Sequence, residues 1–183
     1  GGDNKSNDTT PTFSVSCTGT DTVTLKWDGP GANDGEADGT CSGGTVSITT
    51  DVTLDTDGAW TFKATQTDAA ANESADSATR SYTLDTTTPA APGLPDLQSG
   101  SDAGTSATDD KTNDDRPRFD ISCETNATVT LTWTAPGGSG GTTNSQTGTC
   151  AGGTVTIRPA GNERLDADGS WTVTATQTDD ADN

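Results

Sequence analysis

Histidine is absent from the 183 residues. That removes imidazole metal ligands, the Ser-His-Asp and Cys-His nucleophile systems, and the usual proton shuttle at neutral pH. Apolar side chains are scarce. They make up 27% of the chain, and Val, Ile, Leu and Phe together number only 20. Such a composition, taken alone, predicts disorder, because little apolar surface is available to offset chain entropy. No stretch approaches the roughly 18 consecutive apolar residues that cross a bilayer as a helix. Positive charge is scarce too, with 9 Lys and Arg against 28 Asp and Glu, a net charge of −19. A basic footprint for a phosphate backbone or an anionic membrane is therefore lacking, and neither nucleic acid nor membrane insertion is expected.

The acids that are present are biased. Asp accounts for 24 of the 28 and Glu for 4. Short carboxylates in turns are the ligands of oxygen-coordinated calcium sites. The competing reading is a solvated surface of ordinary turn-forming Asp.

An internal repeat organises the chain. Asp3 to Cys17 matches Asp109 to Cys123, both reading through Asn-Asp-x-x-Pro-x-Phe-x-Val/Ile-Ser-Cys. Thr22 to Trp27 matches Thr128 to Trp133, and Cys41-Ser-Gly-Gly-Thr-Val-Ser-Ile48 matches Cys150-Ala-Gly-Gly-Thr-Val-Thr-Ile157. Leu54 to Asp68, with its Asp-x-Asp-Gly-x-Trp core, matches Leu165 to Asp179. The small length differences fall in Gly-rich stretches, where loops absorb residues at little cost. Two domains are expected, at 1–88 and 89–183, joined through the proline-rich segment Thr86 to Pro95. The copies are out of phase with the chain ends, so the first lacks its opening strand and the second its closing strand. This reads as a slice of a longer array, the alternative being a strand supplied by another molecule.

Within each copy, apolar residues alternate with Thr, Ser, Lys and Asp. The series is Phe13, Val15, Cys17; Val23, Leu25, Trp27; Val46, Ile48; Trp60, Phe62, Ala64; and Tyr82, Leu84. The second copy repeats it with Phe119, Ile121, Cys123; Val129, Leu131, Trp133; Val155, Ile157; and Trp171, Val173, Ala175. Period-two alternation over short runs broken by Gly, Asp and Asn predicts all-β antiparallel sandwiches with one buried face per strand. Thr keeps the outer faces strand-forming without adding apolar surface. No segment shows helical periodicity. The four Trp fall in phase with the apolar face and are expected in the core, the alternative being a sugar-binding platform.

Each copy holds two cysteines at matching places, Cys17 with Cys41 and Cys123 with Cys150. In an up-and-down strand path both lie at the same end of the sandwich. One disulfide per copy is expected, with buried free thiols as the alternative, and it implies an oxidising, extracytoplasmic setting. The spacing is far from the CxxC pattern of zinc and redox sites.

The candidate metal ligands are Asp residues at turns. Asp55 and Asp57, and Asp166 and Asp168, precede the Trp strands. Asp3, Asp8, Asp109 and Asp114 lie in the long loops before the Pro-x-Phe strands. Asp85 ends the last strand of copy one, and Asp179 follows the Thr-Ala-Thr-Gln-Thr strand. Carboxylates gathered in this way repel one another unless a cation is bound, and flexible oxygen ligands favour Ca2+ over Mg2+.

The run Asp-x-Asp-Gly-x-Trp-Thr-x-x-Ala-Thr-x-Thr-Asp-x-Ala-x-Asn-x-Ser, then Leu-Asp-Thr-Thr-x-Pro-x-x-Pro, resembles the bacterial Ig-like extender repeats of giant RTX-type and biofilm-associated adhesins. The resemblance spans nearly the whole chain. It implies two immunoglobulin-like β-sandwiches end to end, forming a non-catalytic stalk on the bacterial cell surface. Calcium at or near the domain junctions rigidifies such stalks, and other domains bind the adhesion target. By that resemblance Asp55, Asp57 and Asp85, with Asp102, Asp109 and Asp114, are calcium ligands, and the partners are neighbouring repeats. Two departures stand out. Ala71, with Asp182 as its counterpart, replaces the usual Gly of the Thr-Asp-x-Ala-Gly-Asn loop, and cysteine pairs are unusual in such arrays. A carbohydrate- or protein-binding module is the second reading.

Overall fold

The computed structural model describes residues 4–30, 34–137 and 142–183. These form two compact units, Gly1–Thr87 and Thr88–Ala181, and no helix occurs among the described residues. The all-β antiparallel architecture expected from the alternation is what the chain adopts, in two tandem units.

Unit 1 has seven strands: β1 (Lys5–Ser6), β2 (Thr12–Ser16), β3 (Thr22–Asp28), β4 (Gly35–Thr40), β5 (Thr45–Thr49), β6 (Gly58–Thr67) and β7 (Arg80–Leu84). A five-stranded sheet in the order β1-β7-β6-β3-β4 faces the two-stranded sheet β2-β5. All pairings are antiparallel except β1 with β7, which run parallel. Unit 2 has β8 (Asp96–Leu97), β9 (Phe119–Ser122), β10 (Thr128–Thr134), β11 (Thr143–Thr149), β12 (Thr154–Ile157) and β13 (Thr172–Thr178). Its two sheets run β11-β10-β13 and β12-β9-β8.

The alternation decides which atoms are buried. In β3, Val23, Leu25 and Trp27 are at most 3% exposed, while Thr and Lys between them face outward. Val129, Leu131 and Trp133 of β10 are fully buried in the same way. Aromatic rings fill the first core, with Phe13 and Phe62 at 4.2 Å between centroids and Tyr82 edge-on to Phe62 at 6.1 Å. Burying each such side chain contributes about 1.5–3 kcal/mol, so a thin sandwich stays folded with few apolar residues. Three of the four Trp are buried as expected, and Trp171 is half-buried.

Two strands lie in stretches that read as Gly-rich loop. β4 pairs with β3, setting Gly35 opposite Trp27, Ala37 opposite Leu25 and Gly39 opposite Val23. A Cβ on Gly35 would lie 2.5 Å from Trp27 Cζ2. The inward positions of β4 are small because the indole and the β5 side chains already fill that space. β11 repeats this with Gly148 against Val155, and places Asn144 opposite Trp133.

Both expected disulfides are present, Cys17–Cys41 with Cα atoms 5.9 Å apart and Cys123–Cys150 at 6.0 Å, and there are no free cysteines.

Candidate functional site

The Asp-x-Asp-Gly turn is built the same way in both units. Gly58 and Gly169 adopt φ of 138° and 135°, a conformation that a side chain opposes. The next Trp then ties the turn down. Trp60 Nε1 donates to the carbonyl of Thr56 at 3.1 Å, and Trp171 Nε1 to that of Ala167 at 3.0 Å. The spacing from Asp to Trp thus reflects an indole reaching back to the middle of its own turn.

In unit 1 this turn holds the chain as it leaves the last strand. Asp57 Oδ1 accepts from the Thr86 N–H and the Thr86 hydroxyl, both at 2.9 Å, and Oδ2 accepts from the Thr87 hydroxyl at 2.9 Å. The Thr86 amide, then its hydroxyl, hold the Asp57 carboxyl below its ordinary pKa. Asp85 sits beside this clamp. It accepts from the Thr87 N–H at 3.1 Å and pairs with Lys5 Nζ at 3.0 Å. Asp55 accepts a hydroxyl from the adjacent Thr56. Asp8 caps its own turn by accepting from the Thr10 N–H at 2.9 Å. Asp3 lies outside the described residues.

In unit 2 the long loop after β8 folds back on itself. Asp114 accepts from the Ser101 hydroxyl at 3.2 Å and the Arg116 N–H at 2.9 Å, and the Thr112 hydroxyl donates to the Ser101 carbonyl. Asp102 is 3% exposed, and its Oδ1 has no hydrogen-bond partner among the described residues. A buried carboxylate oxygen without a donor is costly, and a cation is one way to satisfy it. An open depression beside it is lined by Asp96, Asp102, Asp110 and Asp120. Gln98 Nε2 and the Thr156 hydroxyl already bond Asp120. Asp109 pairs with Lys111 at 3.2 Å, while Asp166 and Asp168 are exposed.

Asp179 is committed elsewhere. Its carboxylate accepts from Ala181 N, Asn183 N and Asn183 Nδ2 at 2.8, 2.9 and 3.1 Å. Asp68 does the same with Ala70 and Asn72, and the Asn72 side chain is the main cause of its lowered pKa. These Asx loops explain the Gly that Ala71 and Asp182 replace, for both have left-handed backbones at φ 66° and 68°.

Among the described residues, no three or more Asp, Glu or Cys side chains are grouped so as to hold a metal ion. The carboxylates are mostly engaged by N–H and hydroxyl donors, and Asp102 differs from them in its buried, unpaired oxygen. Sequence reasoning missed Thr86 and Thr87 as the partners of Asp57. It also missed Gln66 and Gln177, whose amides tie Thr18 and Asp21 in unit 1 and Glu124 and Ala90 in unit 2. The signals were there in hindsight: a Thr run just after Asp85 and a Gln repeated at one position.

A model of the bacterial Ig-like domain matches the chain twice, over residues 1–86 and 88–183. No curated protein matches. Among solved structures, a tetra-tandem repeat in the extending region of a large adhesion protein aligns at 20% identity and a TM-score of 0.37, covering 100% of this chain and 45% of that one. At that score the likeness is too loose to add to the assignment.

Proposed function

The chain belongs to the bacterial Ig-like domain family, and we propose that it is a non-catalytic spacer: two repeats of the stalk of a large bacterial surface adhesin, which displays a distal binding domain for adhesion or biofilm formation. The observation that carries this reading is the Asp57 clamp. The residues that follow the last strand of unit 1, Thr86 and Thr87, are held against that unit's own turn. That suits a module whose task is to transmit length. The disulfide in each unit suits an extracellular site.

Calcium is the proposed cofactor. Asp102, with its buried and unpaired Oδ1, is the foremost ligand, and Asp96 and Asp110 line the same depression. A bound ion would neutralise this acidic loop and stabilise the folded repeat by mass action. In this reading the adhesion target is met by other domains.

Thermal melting of the full chain in calcium and in excess chelator tests the cofactor. Calcium raises the melting temperature, and Asp102→Asn abolishes most of that rise. A melting temperature indifferent to calcium would refute it. A glycan array tests the spacer reading against the binding-module reading. The spacer leaves the array blank, and a specific glycan signal would favour the module.

A further inference from the structure

The two units present different outer faces on the same kind of sheet. In unit 2 the outward positions of β10 are Thr128, Thr130, Thr132 and Thr134, and the residues between them are buried. In register with these four stand three threonines and Ser145 on β11, and four more threonines on β13. The outward residues of β11 are exposed. The sheet therefore offers a grid of hydroxyls and methyls, spaced about 4.8 Å across strands and about 6.8 Å along them, with no charge on it. Among the described residues, the one hydroxyl pair within the grid is Thr134 with Thr143, at 3.1 Å.

Unit 1 shows that the fold does not require such a face. The matching positions of β3 are Thr22, Thr24, Lys26 and Asp28. Lys26 stands opposite Glu36 and Lys63 and pairs with Glu73 at 3.0 Å. Thr24 stands opposite Asp38 and donates its hydroxyl to that carboxylate at 2.6 Å. Strand propensity favours Thr but leaves room for charge, so it does not account for an uncharged face in a chain of net charge −19.

We propose that the threonine face centred on β10 and β11 is a self-association surface, and that its occupant is the same face of a second copy of this chain. A hydroxyl both donates and accepts, so a grid of hydroxyls is complementary to itself, as a twofold contact requires. Charge selects the same occupant. Two copies with this net charge repel, and they approach at least cost where neither presents a carboxylate. The contact is small. Even with all three strands the face spans roughly 300 Å², against about 800 Å² per partner in a standard interface, so the pairing is weak, with a Kd on the order of 1 mM. The face has no ion pair to lose, while salt screens the overall repulsion, so salt strengthens the pairing. The proposal does not depend on the spacer reading.

Sedimentation equilibrium of the full chain, taken up to about 1 mM protein at low salt and at about 0.5 M salt, tests it. The average mass is expected to rise toward the dimer with concentration, and more steeply at high salt. Thr132→Lys gives β10 the residue that unit 1 carries at that position in Lys26, so the fold accommodates it. It also lowers the net negative charge, which by itself would favour association. It should nevertheless weaken the dimer at least tenfold, because two lysines then meet across the contact. Thr24→Lys makes the same charge change on unit 1 and should not weaken it. A monomeric mass at every concentration and salt would overturn the proposal. So would a dimer that Thr132→Lys leaves intact, which would place the contact at a sheet edge or another surface. A monomeric chain giving a glycan-array signal that Thr132→Lys removes would put a neutral glycan on the face and overturn the second copy.

Discussion

The Asp57 carboxylate grips Thr86 twice, by its backbone N–H and by its hydroxyl, both at 2.9 Å. The turn that opens β6 is thereby fastened to the second residue after the end of β7. Because these bonds favour the ionised carboxyl, Asp57 titrates below its ordinary value in the folded chain. A carboxyl with a depressed folded pKa adds stability that is fully present above its unfolded pKa, about 4, and is lost as pH falls through the folded one. Amide exchange at Thr86, corrected for intrinsic rate, should therefore accelerate on acidification below about pH 4. In Asp57→Asn that acceleration should vanish, with Thr86 already fast at neutral pH. A Thr86 amide protected equally in both proteins would show that the clamp is not what orders it.

Gly35 has no room for a side chain. A Cβ at this position would lie 2.5 Å from Trp27, a buried indole that cannot swing away. Gly35→Ala should destabilise unit 1 by about 1–3 kcal/mol in urea melts, the range for forced overpacking. Gly137→Ala, with nothing within 4 Å, should change little. Equal melts for the two variants would refute the close packing of β4 on Trp27.

Ala71 offers the opposite sign. Its φ of 66° is a conformation that strains an L side chain and leaves glycine unstrained. Ala71→Gly should stabilise unit 1 by about 0.5–1 kcal/mol, the relief of the left-handed strain less the added freedom of the unfolded chain. A loss of stability would mean that the methyl group makes a contact outweighing the strain.

The disulfides are large contributors in so thin a core. Cys17 and Cys41 close a loop with a sequence separation of 24 residues. Removing both with serine should cost unit 1 about 3–4 kcal/mol by the loop-entropy account, read as a lower urea midpoint. A variant as stable as the parent would show that the apolar core alone suffices.

Much of this was legible in the residues. Alternation located the strands around Val23, Val129 and Trp60, because a two-residue period with one buried face admits few other readings. The cysteine pairs were legible from their matched positions. β4 and β11 were not, because their inward positions are Gly, Ala, Asn and Gln. Their pairing is dictated by the space that Trp27 and Trp133 leave, which no local pattern records. The parallel pairing of β1 with β7 was hidden for a similar reason, since a two-residue strand carries no period. The acidic loops were legible as a class and not in detail. Composition cannot distinguish Asp179, engaged by Asn183 and Ala181, from Asp102, whose Oδ1 is buried without a donor.

The most direct test of the proposal that calcium stiffens the spacer is small-angle scattering of the full chain, first in calcium and then in excess chelator at the same ionic strength. The account predicts a longer maximum dimension with calcium and a shorter, more variable particle after chelation, with Asp102→Asn resembling the chelated state throughout. Superimposable scattering curves in the two conditions would contradict it.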